Sequence, residues 1–141
     1  MSIIATDLDG TIFKGQTLID GVKEGLLKII NEGIEIYYTT NNSSQTPSEI
    51  KDKLEYLLQL NIDISKIITP LVIFQNLYSN NKSNIFIYGS DNLKNYIKNL
   101  NINVTSLENA ELVLIGRKEE NNFSEINEII KNVSLGKNIL S

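Results

Sequence analysis

Apolar positions recur along the chain at two alternating spacings. Residues 2–6 are a short, β-branched apolar run leading directly into Asp7 and Gly10, the pattern of a buried parallel strand that ends in a loop at its carboxyl edge. Val22, Leu26, Leu27, Ile29 and Ile30 then follow helical spacing, and Gly33 stands where that helix should close. Residues 34–39 predict a second strand, rich in Ile and Tyr. After the polar run 41–45, Thr46-Pro47-Ser48-Glu49 reads as a helix start: Thr46 caps, Pro47 takes the first helical position and Glu49 completes a capping box. Leu54, Leu57, Leu58 and Leu60 supply its buried face. Residues 67–69 predict a short third strand, and Thr69-Pro70 repeats the cap-plus-proline start for a helix reaching about Tyr78.

Polar residues 79–83 read as a linker, and beyond them a second set of alternating elements begins. Residues 84–88 predict a strand, Ser90 caps a helix running to about Leu100, and 111–116 predict another strand. A helix over 124–132 and a strand from 137 to 140 complete the pattern. Strands alternating with helices of about ten residues imply α/β layers with parallel sheets. Two such sets around a polar linker predict two α/β bodies, 1–78 and 79–141. No repeat with a period of 20–50 residues is visible, which excludes a solenoid.

Composition narrows the chemistry. A length of 141 residues fits one ordinary domain, and 2 Pro with 8 Gly exclude collagen-like and Pro/Gly-rich disordered classes. A net charge of −4 and a pI near 4.8 give no basic footprint, so neither nucleic acid nor an anionic membrane is expected as a partner. The absence of Cys and His excludes thiol nucleophiles, His-based triads and most transition-metal sites. Catalysis would have to use carboxylates, hydroxyls, amides and lysines. The N-terminal run is broken by Asp7 and has no basic start, unlike a signal peptide, and no apolar stretch approaches the roughly 18–20 residues of a membrane span. A cytoplasmic protein is expected, in which the sequons at Asn103 and Asn132 carry no meaning.

The candidate site lies at the ends of the first two strands, where open α/β sheets bind ligands. The first delivers Asp7-Leu8-Asp9-Gly10-Thr11; the second delivers Thr39-Thr40-Asn41-Asn42-Ser43-Ser44. In an extended segment residues two apart face the same way, so the Asp7 and Asp9 carboxylates share a side. Two carboxylates that close require one to hold a cation or keep its proton. Gly10 permits the sharp departure from the strand. Thr40, Asn41, Asn42 and Ser43 offer uncharged donors suited to phosphate oxygens, although turn formation and helix capping explain the same residues when taken alone. A calcium loop of EF-hand type is excluded because Leu18 occupies the twelfth position, where Glu is required. The Phe13-Lys14-Gly15 segment reads equally as a flap over the site or as a turn. Tyr37 and Tyr38 read as sheet residues, Arg117 as a solvated charge and Lys118-Glu119-Glu120 as ordinary surface.

Asp-x-Asp-Gly-Thr after an N-terminal strand, followed by a second strand ending in Thr-Asn, resembles the haloacid dehalogenase superfamily of phosphohydrolases. TDLDGTIFKGQTLIDG, IYYTTNNSSQT, KIITPLVIF and ELVLIGRKEE together resemble its capped class IIA branch, the NagD-like and p-nitrophenylphosphatase-like phosphatases. The resemblance implies a Rossmann-like core, here its N-terminal part, and part of an α/β cap. It implies that Asp7 is the nucleophile forming an aspartyl-phosphate and that Asp9 is the general acid and base. The Asp7 carboxylate and the Asp9 backbone carbonyl would bind Mg²⁺. Thr40 would hold the phosphoryl group of a small phosphorylated metabolite, with Asn41, Asn42 and Ser43 as nearby donors.

Members of the superfamily continue with a lysine that pairs the nucleophile and phosphate, then an acidic motif that completes the Mg²⁺ shell. This chain ends at Ser141 inside cap-like sequence, and Lys131 and Lys137 replace neither feature. The expectation is therefore a truncated phosphatase of impaired activity, or a non-catalytic remnant serving as an interaction or weak phosphate-binding module. The first strand should present a bare edge, which predicts a homo-oligomer, a complementing C-terminal fragment or low stability.

Overall fold

The computed structural model describes residues 2–80, 82–118 and 120–141. Met1, Asn81 of the expected linker and Glu119 of the charged run lie outside the described residues. The chain divides into two compact units, one of Met1–Asn41 and Pro47–Val72, the other of Asn42–Thr46 and Ile73–Ser141. The main division thus falls between residues 72 and 73, inside a helix, rather than in the polar run that follows it. Among the described residues no helix is long and apolar enough to cross a membrane.

In the first unit, β1 (Ile3–Asp7) is followed by a hairpin of β2 (Phe13–Lys14) and β3 (Thr17–Leu18), then α1 (Val22–Asn31) and β4 (Glu35–Thr39). After α2 (Pro47–Leu58) come a single 3₁₀ turn (Ile64–Lys66), β5 (Ile67–Ile68) and α3 (Pro70–Tyr78), whose first turn belongs to this unit. The sheet is parallel in the order β1-β4-β5, with Ile3 opposite Glu35 and Asp7 opposite Thr39. Segment 13–15 resolves into the hairpin: Gly15 takes φ 60° while Gln16 does not enter the left-handed region, the pattern of a type II′ turn.

The sequence signals for helix ends explain α1. Gly33 has φ 71°, its N–H donates to the Ile30 carbonyl (2.9 Å), and the Ile34 N–H reaches back to the Ile29 carbonyl (3.3 Å), a Schellman closure. For α2 the expectation ran too far. Gln59 turns into the left-handed region (φ 54°), so Leu60 follows the helix and packs half-buried against the core. The Glu55 carboxylate pins this exit, accepting the Ile62 N–H (2.9 Å) while pairing with Lys51 (2.9 Å). At the next helix Thr69 caps as expected, its hydroxyl accepting the Val72 N–H at 3.2 Å.

The core of this unit joins Leu8, Ile12 and Phe13 of the first loop to Leu26 of α1, Ile36 and Tyr38 of β4, and Ile50, Leu54 and Leu58 of α2. The Lys53 ammonium stands 3.5 Å above the Phe13 ring, a cation–π contact between helix and hairpin. On β1, by contrast, Ile3 is 59% and Ile4 37% exposed, although both are the β-branched residues of a buried strand. Among the described residues β1 pairs with β4 alone, which leaves its other edge open.

In the second unit, β6 (Ile85–Tyr88), α4 (Asp91–Lys98), β7 (Leu112–Ile115), α5 (Phe123–Ser134) and β8 (Asn138–Leu140) follow in order. They form a parallel sheet β6-β7-β8. Leu112, Val113 and Leu114 are all buried, as expected of a central strand covered on both faces. The Ser90 hydroxyl caps α4 by accepting the Leu93 N–H (3.2 Å). The helix stops at Lys98 rather than Leu100. α5 begins one residue earlier than expected, because Asn122 accepts the Ser124 N–H at 3.0 Å and acts as the N-cap. Gly89 and Gly116 flank Leu93 so closely that a Cβ at either would collide with its side chain.

Three outcomes follow from this packing. Leu54→Ala opens a cavity in the first core and should cost about 2–5 kcal/mol, read from the urea midpoint. The Glu55 carboxyl is held below the usual range, first by the Ile62 N–H and then by Lys51. Its contribution to stability is present above the ordinary carboxylate pKa and is lost as pH falls through the lowered value. The urea midpoint should therefore drop with acidification, and Glu55→Gln should flatten that dependence. The open edge of β1 should pair with a second copy of the chain. Sedimentation should show a concentration-dependent dimer that Ile3→Lys weakens, and a monomer unaffected by that change would count against edge pairing.

Candidate active site

The site in the first unit is built on the transition from β1 to the loop beyond it. Leu8, 1% exposed, is driven into the core, while its neighbours Asp7 and Asp9 are both exposed. An apolar anchor between two carboxylates fixes which way the backbone faces and leaves both acids in water. The Leu8 carbonyl accepts N–H groups from Thr11 (3.3 Å), Ile12 (2.9 Å) and Phe13 (3.2 Å), so the loop wraps tightly around it. Gly10 donates its N–H to the Phe13 carbonyl (2.8 Å) with φ 87°. A Cβ there would meet nothing within 4 Å, so the glycine answers to backbone conformation and not to crowding.

The second strand delivers the partner residues. Asp7 lies opposite Thr39 in the β1–β4 register, and the Thr39 hydroxyl donates to the Thr6 carbonyl at 3.1 Å, tying the two strand ends together. One residue on, the Thr40 N–H donates to the Ile68 carbonyl (3.1 Å), which orients the chain as it leaves β4 toward Asn41. Asp7, Asp9, Gly10, Thr40 and Asn41 thus all belong to the first unit, Asp7 and Thr40 at the carboxyl end of its sheet and Asp9 and Gly10 in the loop beyond it. Asn42 and Ser43 belong to the second unit. The Asn42 side-chain oxygen Oδ1 accepts from the Ser44 N–H (2.9 Å) and hydroxyl (2.6 Å), and the Ser43 hydroxyl oxygen accepts the Arg117 N–H (3.1 Å).

None of the ion pairs among the described residues involves Asp7 or Asp9; these pairs are Lys51–Glu55, Lys66–Glu35 and Lys118–Glu125. Two carboxylates left exposed are the hard oxygen donors that Mg²⁺ takes when it is held by one or two acids together with phosphate and water. The described residues contain no cluster of three or more acidic side chains that would form a complete protein cage. Chemically, the first unit offers two exposed carboxylates, with the hydroxyl of Thr40 and the amide of Asn41 following the neighbouring strand.

Sequence reasoning missed two contributors to the site in the first unit. Leu8 had a readable signal, an apolar residue set between two acids. Thr39 ends the second predicted strand, but its strand-tying bond depends on the register with β1. In the second unit Arg117 engages Ser43 through its backbone N–H, which no side-chain pattern announces, while its side chain stays exposed as expected.

The family model described as haloacid dehalogenase-like hydrolase matches residues 4–103. The chain belongs to that family. An acid sugar phosphatase from Staphylococcus haemolyticus is 32% identical over 124 residues, covering 85% of this chain and 46% of the relative. A p-nitrophenyl phosphatase from Archaeoglobus fulgidus shares the fold with a TM-score of 0.86 at 20% identity, over 98% of this chain and 53% of that one. A glycerol phosphate phosphatase from Mycobacterium tuberculosis, solved in complex with magnesium, aligns at a TM-score of 0.76 and 20% identity, over 96% of this chain and 42% of that one. The NagD protein of Escherichia coli shares the fold with a TM-score of 0.78 at 18% identity, over 96% of this chain and 54% of that one. The chain spans about half the length of the relatives it matches.

Proposed function

We propose that this chain carries the nucleophile and the acid–base residue of a Mg²⁺-dependent phosphomonoester phosphatase. The observation that carries the reading is the pair of exposed carboxylates flanking buried Leu8, with Asp7 in register with Thr39 and one residue from Thr40. Family membership supports it, and so does the phosphatase activity named for the relatives.

In the first half-reaction an Asp7 carboxylate oxygen attacks phosphorus and the bond to the leaving oxygen breaks. Asp9, protonated at that stage, gives its proton to the departing alkoxide. In the second, Asp9 takes a proton from water, whose oxygen attacks phosphorus. The bond to Asp7 breaks, inorganic phosphate leaves and the carboxylate is restored. Splitting the displacement in this way suits a carboxylate nucleophile. Asp9 must alternate between acid and base, and its exposure lets it exchange protons with solvent. The Asp7 carboxylate and the Asp9 carbonyl are the groups that would hold Mg²⁺, which supplies charge neutralisation for the phosphoryl oxygens. Thr40, with Asn41 beside it in sequence, supplies uncharged donors to the same oxygens. The substrate is a small phosphorylated metabolite, and the relative at 32% identity favours a sugar phosphate. The setting is cytoplasmic.

Turnover of p-nitrophenyl phosphate with Mg²⁺ tests this reading. Asp7→Asn, nearly isosteric, should abolish turnover, and Asp9→Asn should lower it by about 10²-fold or more. Chelation should stop it reversibly. A folded protein that binds phosphate in Mg²⁺ without hydrolysing the ester would support a phosphate-binding module instead.

A further inference from the structure

The second unit holds a cavity of about 510 Å³, and every residue lining it belongs to that unit. Tyr88 and Ile115, the last residues of β6 and β7, stand at one end of it, with Arg117 and Lys118 in the segment just beyond β7. Ligands of open α/β sheets bind at this carboxyl end of the strands. The rest of the lining is apolar. Ile126, Ile130 and Val133, spaced four and three residues apart, set one face of α5 along the cavity, and Ile139 of β8 lines it too. Ile130 is 56% and Ile139 51% exposed, so apolar surface is left open to water here, whereas the neighbouring Ile129 is buried in the core.

The polar end has a definite chemistry. The Tyr88 hydroxyl donates to the Asn121 side-chain oxygen Oδ1 (3.2 Å), which leaves the Asn121 amide hydrogens to donate elsewhere. The Lys118 ammonium lies 4.7 Å from the centre of the Tyr88 ring and pairs with Glu125 (2.7 Å), and Asp91 acts on it at longer range, so its charge is matched. Arg117 takes part in no ion pair among the described residues. The charged residues lining the cavity are these two cations; Glu125 and Asp91 are not in the lining, and the Arg117 charge is left over. We propose that the cavity binds a small amphiphilic anion, a molecule with an apolar body and a carboxylate or phosphate head. The body lies along Ile126, Ile130 and Ile139, and the head meets the Arg117 guanidinium, whose fork of donors matches such oxygens, and the Asn121 amide. The volume suits a single small molecule, since pockets of that kind span roughly 300–1,000 Å³. The site is separate from Asp7 and Asp9, which belong to the first unit.

Calorimetric titration of the whole chain with octanoate, read beside residue-resolved NMR shifts, tests this. Octanoate should bind and shift the signals of Ile126, Ile130 and Ile139. Octylammonium, the same body with the opposite charge, should bind about tenfold more weakly or worse. Arg117→Gln should cost octanoate about tenfold or more in affinity, the loss of one charge-assisted hydrogen bond. Ile130→Asp, a change at an exposed position, should abolish octanoate binding with little change in the thermal midpoint. Equal binding of octanoate and octylammonium, or an Arg117→Gln chain that binds octanoate as before, would overturn the proposal. So would isoleucine shifts that follow protein concentration and not octanoate, because a second copy would then cover this face. Co-sedimentation with phosphatidylglycerol vesicles, without binding of free octanoate, would assign the cavity to a membrane surface and overturn it as well. None of these readouts depends on turnover at Asp7.

Discussion

The parallel pairing of β1 with β4 is the constraint on which the site in the first unit depends. It sets Asp7 opposite Thr39, and the Thr39 hydroxyl bound to the Thr6 carbonyl keeps the strand ends from fraying apart. A slip of one residue would turn every side chain of β1 to the other face and move Asp7 away from the end of β4. What holds the register is burial on the β4 side, where Ile36 and Tyr38 enter the core, together with Leu8, whose insertion fixes the loop immediately after β1. The loop's hydrogen bonds to the Leu8 carbonyl complete the arrangement. The acids stay exposed because the residue between them is buried.

The same strand also carries exposed apolar residues. Its sequence is that of a strand covered on both faces, yet Ile3 and Ile4 remain exposed and its outer edge is open among the described residues. In the second unit β7, flanked by β6 and β8, is buried over Leu112–Leu114 with a comparable apolar sequence. The contrast follows from neighbours and not from composition. An apolar parallel strand without a second partner is a template for another strand.

Segment 42–46 shows how a loop that is continuous in sequence can be divided in structure. Its residues share the composition of Thr40 and Asn41, polar and suited to turns, and nothing in that composition separates them. The division comes from what each backbone bonds to. Thr40 bonds to Ile68 in the first unit, whereas Ser43 and Ser44 bond to Arg117 and Asn92 in the second.

The sequence by itself determined the order and type of the elements, the parallel α/β class, the family, and the two carboxylates with the glycine beside them. These are local matters: β-branched runs, helical stripes, Thr69, Ser90 and Gly33 at helix ends, and a motif contained within five residues. Where short-range chemistry was ambiguous, the reading stopped short. The hairpin at Gly15 and the early end of α2 at Gln59 depend on left-handed backbone geometry, and Asn122 took the cap of α5 although the residue two positions on also qualified by type. Only the tertiary structure decided that Leu8 anchors the acids, that Thr39 ties the strands, and that residues 42–46 pack with the second unit. Those outcomes depend on which backbone groups meet across dozens of residues, and every residue carries the same amide and carbonyl whatever its side chain.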